Sequence, residues 1–484
     1  MKIKKFISIS LTLIFFYYII KFIVPILFGS FYYLLIFIFF IIFAYKSPFY
    51  FLILLTIFYE KFFQIIFLWI PFWLWADLTI VLVSAGVFVQ FLKNGFHLNL
   101  NTDNYYFKYI LLILSVVTFS IFFGSYLFLG EPPKSLIFRP RPFFLYFTYL
   151  YLCLAELNQD QIRKYIGFIV FTSVGISLLL IIDAKLLGGF VIFKYAYYNG
   201  VSGFRGGNPR IVVYTFMTIF TYFYLLSTIR FTQNTLIRLI AILSFIIVGY
   251  QLVFVLMTRQ TLLTIFLTTL FFLLNLKSLI PKTFVFCTIM AGLFLAATFF
   301  AINPDKLEET AYYKIIEKTR IESSYKEKGN LARRINGIKF FYPYFKKTFF
   351  MGIGMTSVKN KNSPENIGLE NGYVFSDLGI FSIIYRFGLL SLIVIAIILN
   401  RVFRDLTFIQ KNVGTQQKIL ANALIYLFIN NIIFLPTTKI FFTEGPFYYG
   451  IFFYIIYKLK SDIIPQEKQA FPALSYNQKL CMSG

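Results

Sequence analysis

The stretch YFKYILLILSVVTFSIFFGSYL, residues 106–127, decides the fold. It runs for 22 residues with a single charge, Lys108, near its start. As a helix rising about 1.5 Å per residue it is about 33 Å long, enough to cross a hydrocarbon core of about 30 Å. Working outward, further apolar runs lie at 6–22, 24–44, 49–70, 73–92, 136–155, 165–183, 211–229, 237–256, 260–276, 283–302, 380–400, 419–435 and 441–457. The expected fold is therefore all-α, a polytopic transmembrane helix bundle of about 12–14 spans. Residues 1–302 hold about eleven of them. Residues 303–379 form a large late loop, 380–457 the C-terminal spans, and 458–484 a polar tail.

Composition agrees. Of 484 residues, 59% are hydrophobic, 21% aromatic and 13% charged, against about 25% charged in soluble domains. Mean hydropathy is +0.76. An ordinary soluble enzyme, a disordered chain and a coiled coil are excluded. The formal net charge of +25 reads as topology signal and headgroup contact rather than as nucleic-acid binding. Three cysteines (Cys153, Cys287, Cys481) and the single His97 have no metal-ligand spacing, so neither metal nor disulfide framework is expected. No P-loop, G-x-S-x-G, H-E-x-x-H or C-x-x-C pattern occurs, and no cofactor is expected. The N-terminal MKIKK and the apolar 6–20 read as an uncleaved first span.

Lysine and arginine placement sets the orientation. With both termini in the cytoplasm, the short inner segments hold 20 of them and the short outer segments 10. Adjacent charges at Glu60 and Lys61 inside run 49–70 are the point of greatest tension. Residues 303–372 carry 13 Lys/Arg and 8 Asp/Glu and are placed outside. Within them, 331–345 mixes basic and aromatic faces and reads as a helix lying at the interface.

The outer arginines carry the chemical signal. Arg139 and Arg141 sit in SLIFRPRPFF, where interleaved prolines oppose regular helix. Arg205 and Arg210 sit in GFRGGNPR, and Arg259 in LMTRQTLL at a turn between runs. Guanidinium is the better fork for phosphate oxygens. Each arginine taken alone reads equally as a headgroup anchor; the five together suggest a basic outer cavity for a diphosphate. Later come Arg333 and Arg334, then Gly352 and Gly354, Glu370 and Asn371, and Arg386 with Asp377 beside it as ion-pair partner, acid or helix-start residue. Asp77 and Asp183 lie near run ends and read as interfacial.

The order of these later features resembles the superfamily of O-antigen polymerases (Wzy-type) and O-antigen ligases. The resemblance rests on Arg259 after a long apolar run, Arg-x-x-Gly-Ile-Lys-Phe-Phe-x-Pro from Arg334, the Gly352-x-Gly354 turn, Glu370-Asn371-Gly372-Tyr373, Asp377-Leu-Gly and Arg386-Phe-Gly. It covers roughly 250–400. It implies a GT-C-like bundle in the bacterial inner membrane and a metal-independent glycosyltransferase. It implies undecaprenyl-diphosphate-linked oligosaccharide as substrate and a chain-length regulator as partner. By the same resemblance Glu370 is the general base and Arg259 acts with Arg205 and Arg210 on the leaving diphosphate. Arg139 or Arg141 holds the second lipid carrier, and Arg334, Asn371, Tyr373 and Arg386 contact substrate. Ligases carry a His where this chain has Glu370, which moves polymerase ahead of ligase. A lipid-linked-oligosaccharide transporter is the reading from another class; its mark would be charged water-filled halves on both sides of the membrane.

Overall fold

The computed structural model describes residues 31–60, 72–95, 105–132, 139–193, 203–205, 208–211, 215–256, 259–274, 330–356, 360–433 and 445–470. The expected spans 6–22 and 283–302, and the first part of the late loop, lie outside these residues.

The described chain is helical apart from one small hairpin. Helices α1 (Phe31–Lys46), α2 (Pro48–Tyr59) and α3 (Phe72–Lys93) come first. Next are α4 (Tyr105–Ser120), continued by a π-helix, Ile121–Phe128, and a 3-10 turn, Arg141–Tyr146, leading into α5 (Phe147–Ala155). Helix α6 (Gln159–Lys185) follows, then an antiparallel hairpin of β1 (Gly203–Arg205) and β2 (Asn208–Arg210). Helices α7 (Thr215–Phe231) and α8 (Thr235–Gln251) come after it, with α8 continued by a second π-helix, Leu252–Leu256, and then α9 (Arg259–Leu274). The late loop supplies α10 (Asn330–Lys347), α11 (Pro364–Glu370) and a 3-10 turn, Phe375–Leu378. Helices α12 (Ile380–Phe387), α13 (Leu390–Asn412), α14 (Thr415–Ile433) and α15 (Pro446–Ala470) complete the description.

Among the described residues, three helices are long and apolar enough to cross a membrane: 105–128, α6, and 235–256. Shorter apolar helices lie at Phe37–Lys46, Pro48–Tyr59, Phe216–Phe231 and Thr261–Leu274. The outward face of α8 carries Leu236, Ile240 and Leu243, all more than half exposed. Such a stripe is stable only against an apolar medium, which fits a bilayer. Inside, aromatic rings interlock: Phe216 stacks on Tyr448, and Tyr106 on Phe453.

Side-chain contacts gather helix ends into two sets. At one end, Lys93 reaches the Tyr45 carbonyl and Asn94 the Leu154 carbonyl, tying α1, α3 and α5. Tyr454 reaches the carbonyl of Leu157, and Gln159 bonds both Asp462 and Gln417. Asp405 gathers Lys460, Arg401 and the Tyr106 hydroxyl at 2.6, 3.1 and 3.0 Å. The opposite end carries the arginines described below.

Four expected boundaries change. The run 380–400 is two helices, because Gly388 takes φ +78° between α12 and α13. The run 49–70 ends as helix at Tyr59, where Glu60 turns out and accepts the Tyr448 hydroxyl; 61–71 lie outside the description. The run 106–127 is regular only to Ser120 and then widens to a π-helix. Helix α15 continues to Ala470, well into the residues read as a tail. The amphipathic helix expected at 331–345 is α10.

Candidate functional site

The late loop is bound to the bundle at a crossing of glycines. Met351 and Ile353 present their carbonyls to the Ser120 and Ser125 hydroxyls of the α4 segment, both at 3.0 Å. The Ile353 and Gly354 amides donate to the carbonyls of Tyr385 and Arg386 at 2.6 and 2.8 Å. Backbone therefore passes directly over backbone. A methyl on Gly124 would lie 2.0 Å from the Gly352 carbonyl oxygen, and one on Gly352 2.4 Å from the Arg386 carbonyl. Gly352, Gly354 and Gly388 also hold φ values of +97°, +70° and +78°, conformations that side chains oppose. The Gly-x-Gly and Arg-Phe-Gly elements of the sequence are two sides of one crossing.

This crossing sets Arg386. Its guanidinium lies over the Phe375 ring, 4.8 Å from the centroid, and reaches Glu365 Oε1 at 2.5 Å. Arg139 approaches the other oxygen, Oε2, at 3.6 Å. Thr356 Oγ1 donates to Oε2 at 3.4 Å. The Phe143 and Phe387 rings meet edge to face and fix the Arg139–Arg141 segment against α12. Arg141 itself pairs with Asp77 at 2.9 Å. Glu131, 1% exposed, accepts from Asn360 at 3.0 Å and so anchors the turn leading into α11. The Arg139 guanidinium is attracted by Glu365 and Glu131 and repelled by Arg386 and Arg141. The side chains of Arg139, Glu365 and Arg386 are 21%, 16% and 12% exposed, half-sheltered yet within reach of a ligand.

Glu365, Glu131, Thr356 and Asn360 were not singled out from the sequence. Ser363-Pro364-Glu365 starts α11, with Ser363 capping the Asn366 amide at 3.1 Å. That local role hides the pairing of Glu365 with arginines far along the chain.

The other expected site residues are distributed. Glu370 is exposed at the end of α11 and accepts from Asn366 at 2.7 Å; among the described residues no contact links it to the arginines. Asn371 is exposed and bonds the Ile367 carbonyl at 2.8 Å. The Tyr373 ring packs on Phe340 inside the loop's own small core. Arg333 is exposed and Arg334 half-buried on α10.

Arg205 and Arg210 fall on the hairpin, with Arg205 opposite Asn208 and Arg210 opposite Gly203. Strand β2 packs beside the end of α6 and the π-helix 252–256, which leads to Arg259 at the start of α9. Arg259 opens α9 beyond that π-helix; the side chains of these three, and that of Asp377, lie outside the description. Asp183, fully buried, holds the loop before the hairpin. Its carboxylate accepts the amides of Val191, Ile192 and Phe193 at 2.8, 3.1 and 3.1 Å. Of the sequence arginines, Arg139 and Arg386 meet at Glu365 and Arg141 pairs with Asp77, while Arg205 and Arg210 lie on the hairpin.

No group of His, Cys, Asp and Glu with metal-binding geometry occurs among the described residues. Comparison with protein-family models, with curated proteins and with solved structures found no match to this chain.

Proposed function

We propose that the chain is a polymerase of bacterial surface polysaccharide. In this reading it is a metal-independent glycosyltransferase of the inner membrane, with about 12–14 spans in a GT-C-like arrangement. The arginine end faces outward and both termini face the cytoplasm. A glycan on undecaprenyl diphosphate is the donor, and the non-reducing end of a second lipid-linked repeat unit is the acceptor. The observation that carries the reading is the convergence of Arg139 and Arg386, two arginines remote in sequence, where the late loop meets the bundle.

The chemistry follows from charge. The acceptor hydroxyl oxygen forms a bond to the anomeric carbon while the bond from that carbon to the diphosphate oxygen breaks. The bonding pair leaves with the lipid diphosphate, so negative charge grows there and fixed guanidinium groups stabilise it. Arg205, Arg210 and Arg259 are assigned to the leaving diphosphate, and Arg139 and Arg386 to the carrier of the second unit. Glu370, oriented by Asn366, takes the hydroxyl proton. The glycine crossing holds the loop across the site and limits water.

The test is a deletion strain complemented with wild type, Arg386→Ala or Arg259→Ala, with its surface glycan resolved on a gel. Single repeat units in the deletion, restored to long chains by wild type but by neither variant expressed at equal level, support the reading. Long chains accumulating on the lipid carrier identify a ligase. Normal glycan in the deletion removes both.

A further inference from the structure

We propose that Glu365 is a resident anion in a seat built for a ligand oxyanion, phosphate or carboxylate, and that the ligand takes the seat by displacing it. The proposal deepens the reading above and rests on it for the identity of the physiological ligand.

Three observations point to the seat. First, two guanidinium groups share one carboxylate. Arg141 is satisfied by Asp77, leaving two guanidinium groups, Arg139 and Arg386, on the single carboxylate of Glu365. Buried Glu131 bonds Asn360 and adds its attraction to Arg139. Two guanidinium groups on one carboxylate form a fork that a diphosphate or a sugar carboxylate matches.

Second, Arg139 is unfinished. It stands 3.6 Å from Glu365, an ion-pair distance, and makes no hydrogen bond among the described residues. A guanidinium carries five N–H donors, and burying even part of it without acceptors is costly. Those donors stand beside the Glu365 carboxylate, and both side chains are partly exposed.

Third, Glu365 stands on a short, mostly uncovered helix. Helix α11 has seven residues, of which only Pro364 and Gly368 are buried. After it, Gly372 takes φ +77°, and a methyl there would meet nothing within 4 Å. Arg386, by contrast, is gripped through its own backbone carbonyl by Gly354 and through its side chain by Phe375. Before the ligand binds, the carboxylate keeps two repelling arginines in place; on binding, the ligand's oxygens replace its own.

The experiment uses the full chain in nanodiscs, with inorganic pyrophosphate and, separately, glucuronate as probes in calorimetry. Glu365→Gln keeps shape and removes charge. It is expected to bind the preferred probe about tenfold tighter than wild type, since one competing charge is gone. Arg139→Ala is expected to lose at least about tenfold, and Arg139→Lys, which keeps charge and fold but not the fork, to lose less. Preference for pyrophosphate assigns the seat to the lipid carrier, and preference for glucuronate to an acidic sugar. Binding that is equal or weaker in Glu365→Gln, or unchanged in both Arg139 variants, overturns the proposal. Because binding is read without polymerisation, the seat can stand when the glycan gel removes the polymerase, and the polymerase can stand when the seat fails.

Discussion

Gly124→Ala tests the glycine crossing. Its methyl carbon would sit 2.0 Å from the Gly352 carbonyl oxygen and 2.8 Å from the Ile353 carbonyl carbon, where real contacts essentially never fall below 3.0 Å. The 352–354 turn must therefore retreat by about 1 Å, at a cost of about 1–3 kcal/mol typical of overpacking. The retreat also stretches the Ser120 and Ser125 hydroxyl bonds to Met351 and Ile353, each contributing about 1 kcal/mol. The sum is about 3–5 kcal/mol against the docked turn. Amide hydrogen exchange reads it directly, because the Ile353 and Gly354 amides are held by Tyr385 and Arg386. Their exchange should accelerate about a hundredfold or more if they exchange by local opening, 1.4 kcal/mol being tenfold. Amides of α6 should not change. Acceleration below about threefold at both positions, in folded protein, would refute the packing argument.

Other predictions use the same protein in detergent or nanodiscs. Gly175→Ala, in α6 with nothing within 4 Å, should raise stability by about 0.5–1 kcal/mol, the opposite sign to Gly124→Ala. Asp183→Asn replaces a charged acceptor of three amides by a neutral carbonyl and a clashing NH₂, costing about 2–4 kcal/mol. Exchange at residues 191–193 should rise with it, and unchanged exchange there would remove the proposed anchoring. Asp405→Ala strands Lys460 and Arg401 and should cost about 3–5 kcal/mol. Lys460→Met should cost less, because Arg401 and Tyr106 remain on the carboxylate; equal melting temperatures would show that Asp405 contributes no net pairing energy.

The helical class was legible because apolar length is a one-dimensional property. Helix α3, Phe72–Lys93, lies within a residue of the run read at each end. What failed was anything that depends on backbone shape inside an apolar run. Leu389–Leu390 continues the hydrophobic pattern across Gly388, so hydropathy joins α12 to α13 although Gly388 separates them. The widening after Ser120 is invisible for the same reason: no residue between 121 and 128 is charged, and the turn that packs on Gly124 is remote in sequence. For the site, residue type was informative and pairing was not. Arg139 and Arg386 stood out as arginines in apolar surroundings, but their common acid looked like an ordinary first-turn glutamate. Glu370 was chosen for its neighbours along the chain, and its described bond stays within α11.

The glycine crossing also bears on how this chain can vary. Where two backbones touch, no side chain can be accommodated, so substitution at Gly124, Gly352 or Gly388 cannot be absorbed by repacking a neighbour. Segments beyond the crossing carry no such restriction. A tag or a graft placed at the exposed Lys361–Asn362 turn changes only a surface, whereas one added residue between Met351 and Gly354 shifts every amide that grips Tyr385 and Arg386. Chimeras that exchange the late loop should therefore be cut outside 351–388, with 351–354 and 385–388 always transferred as a pair.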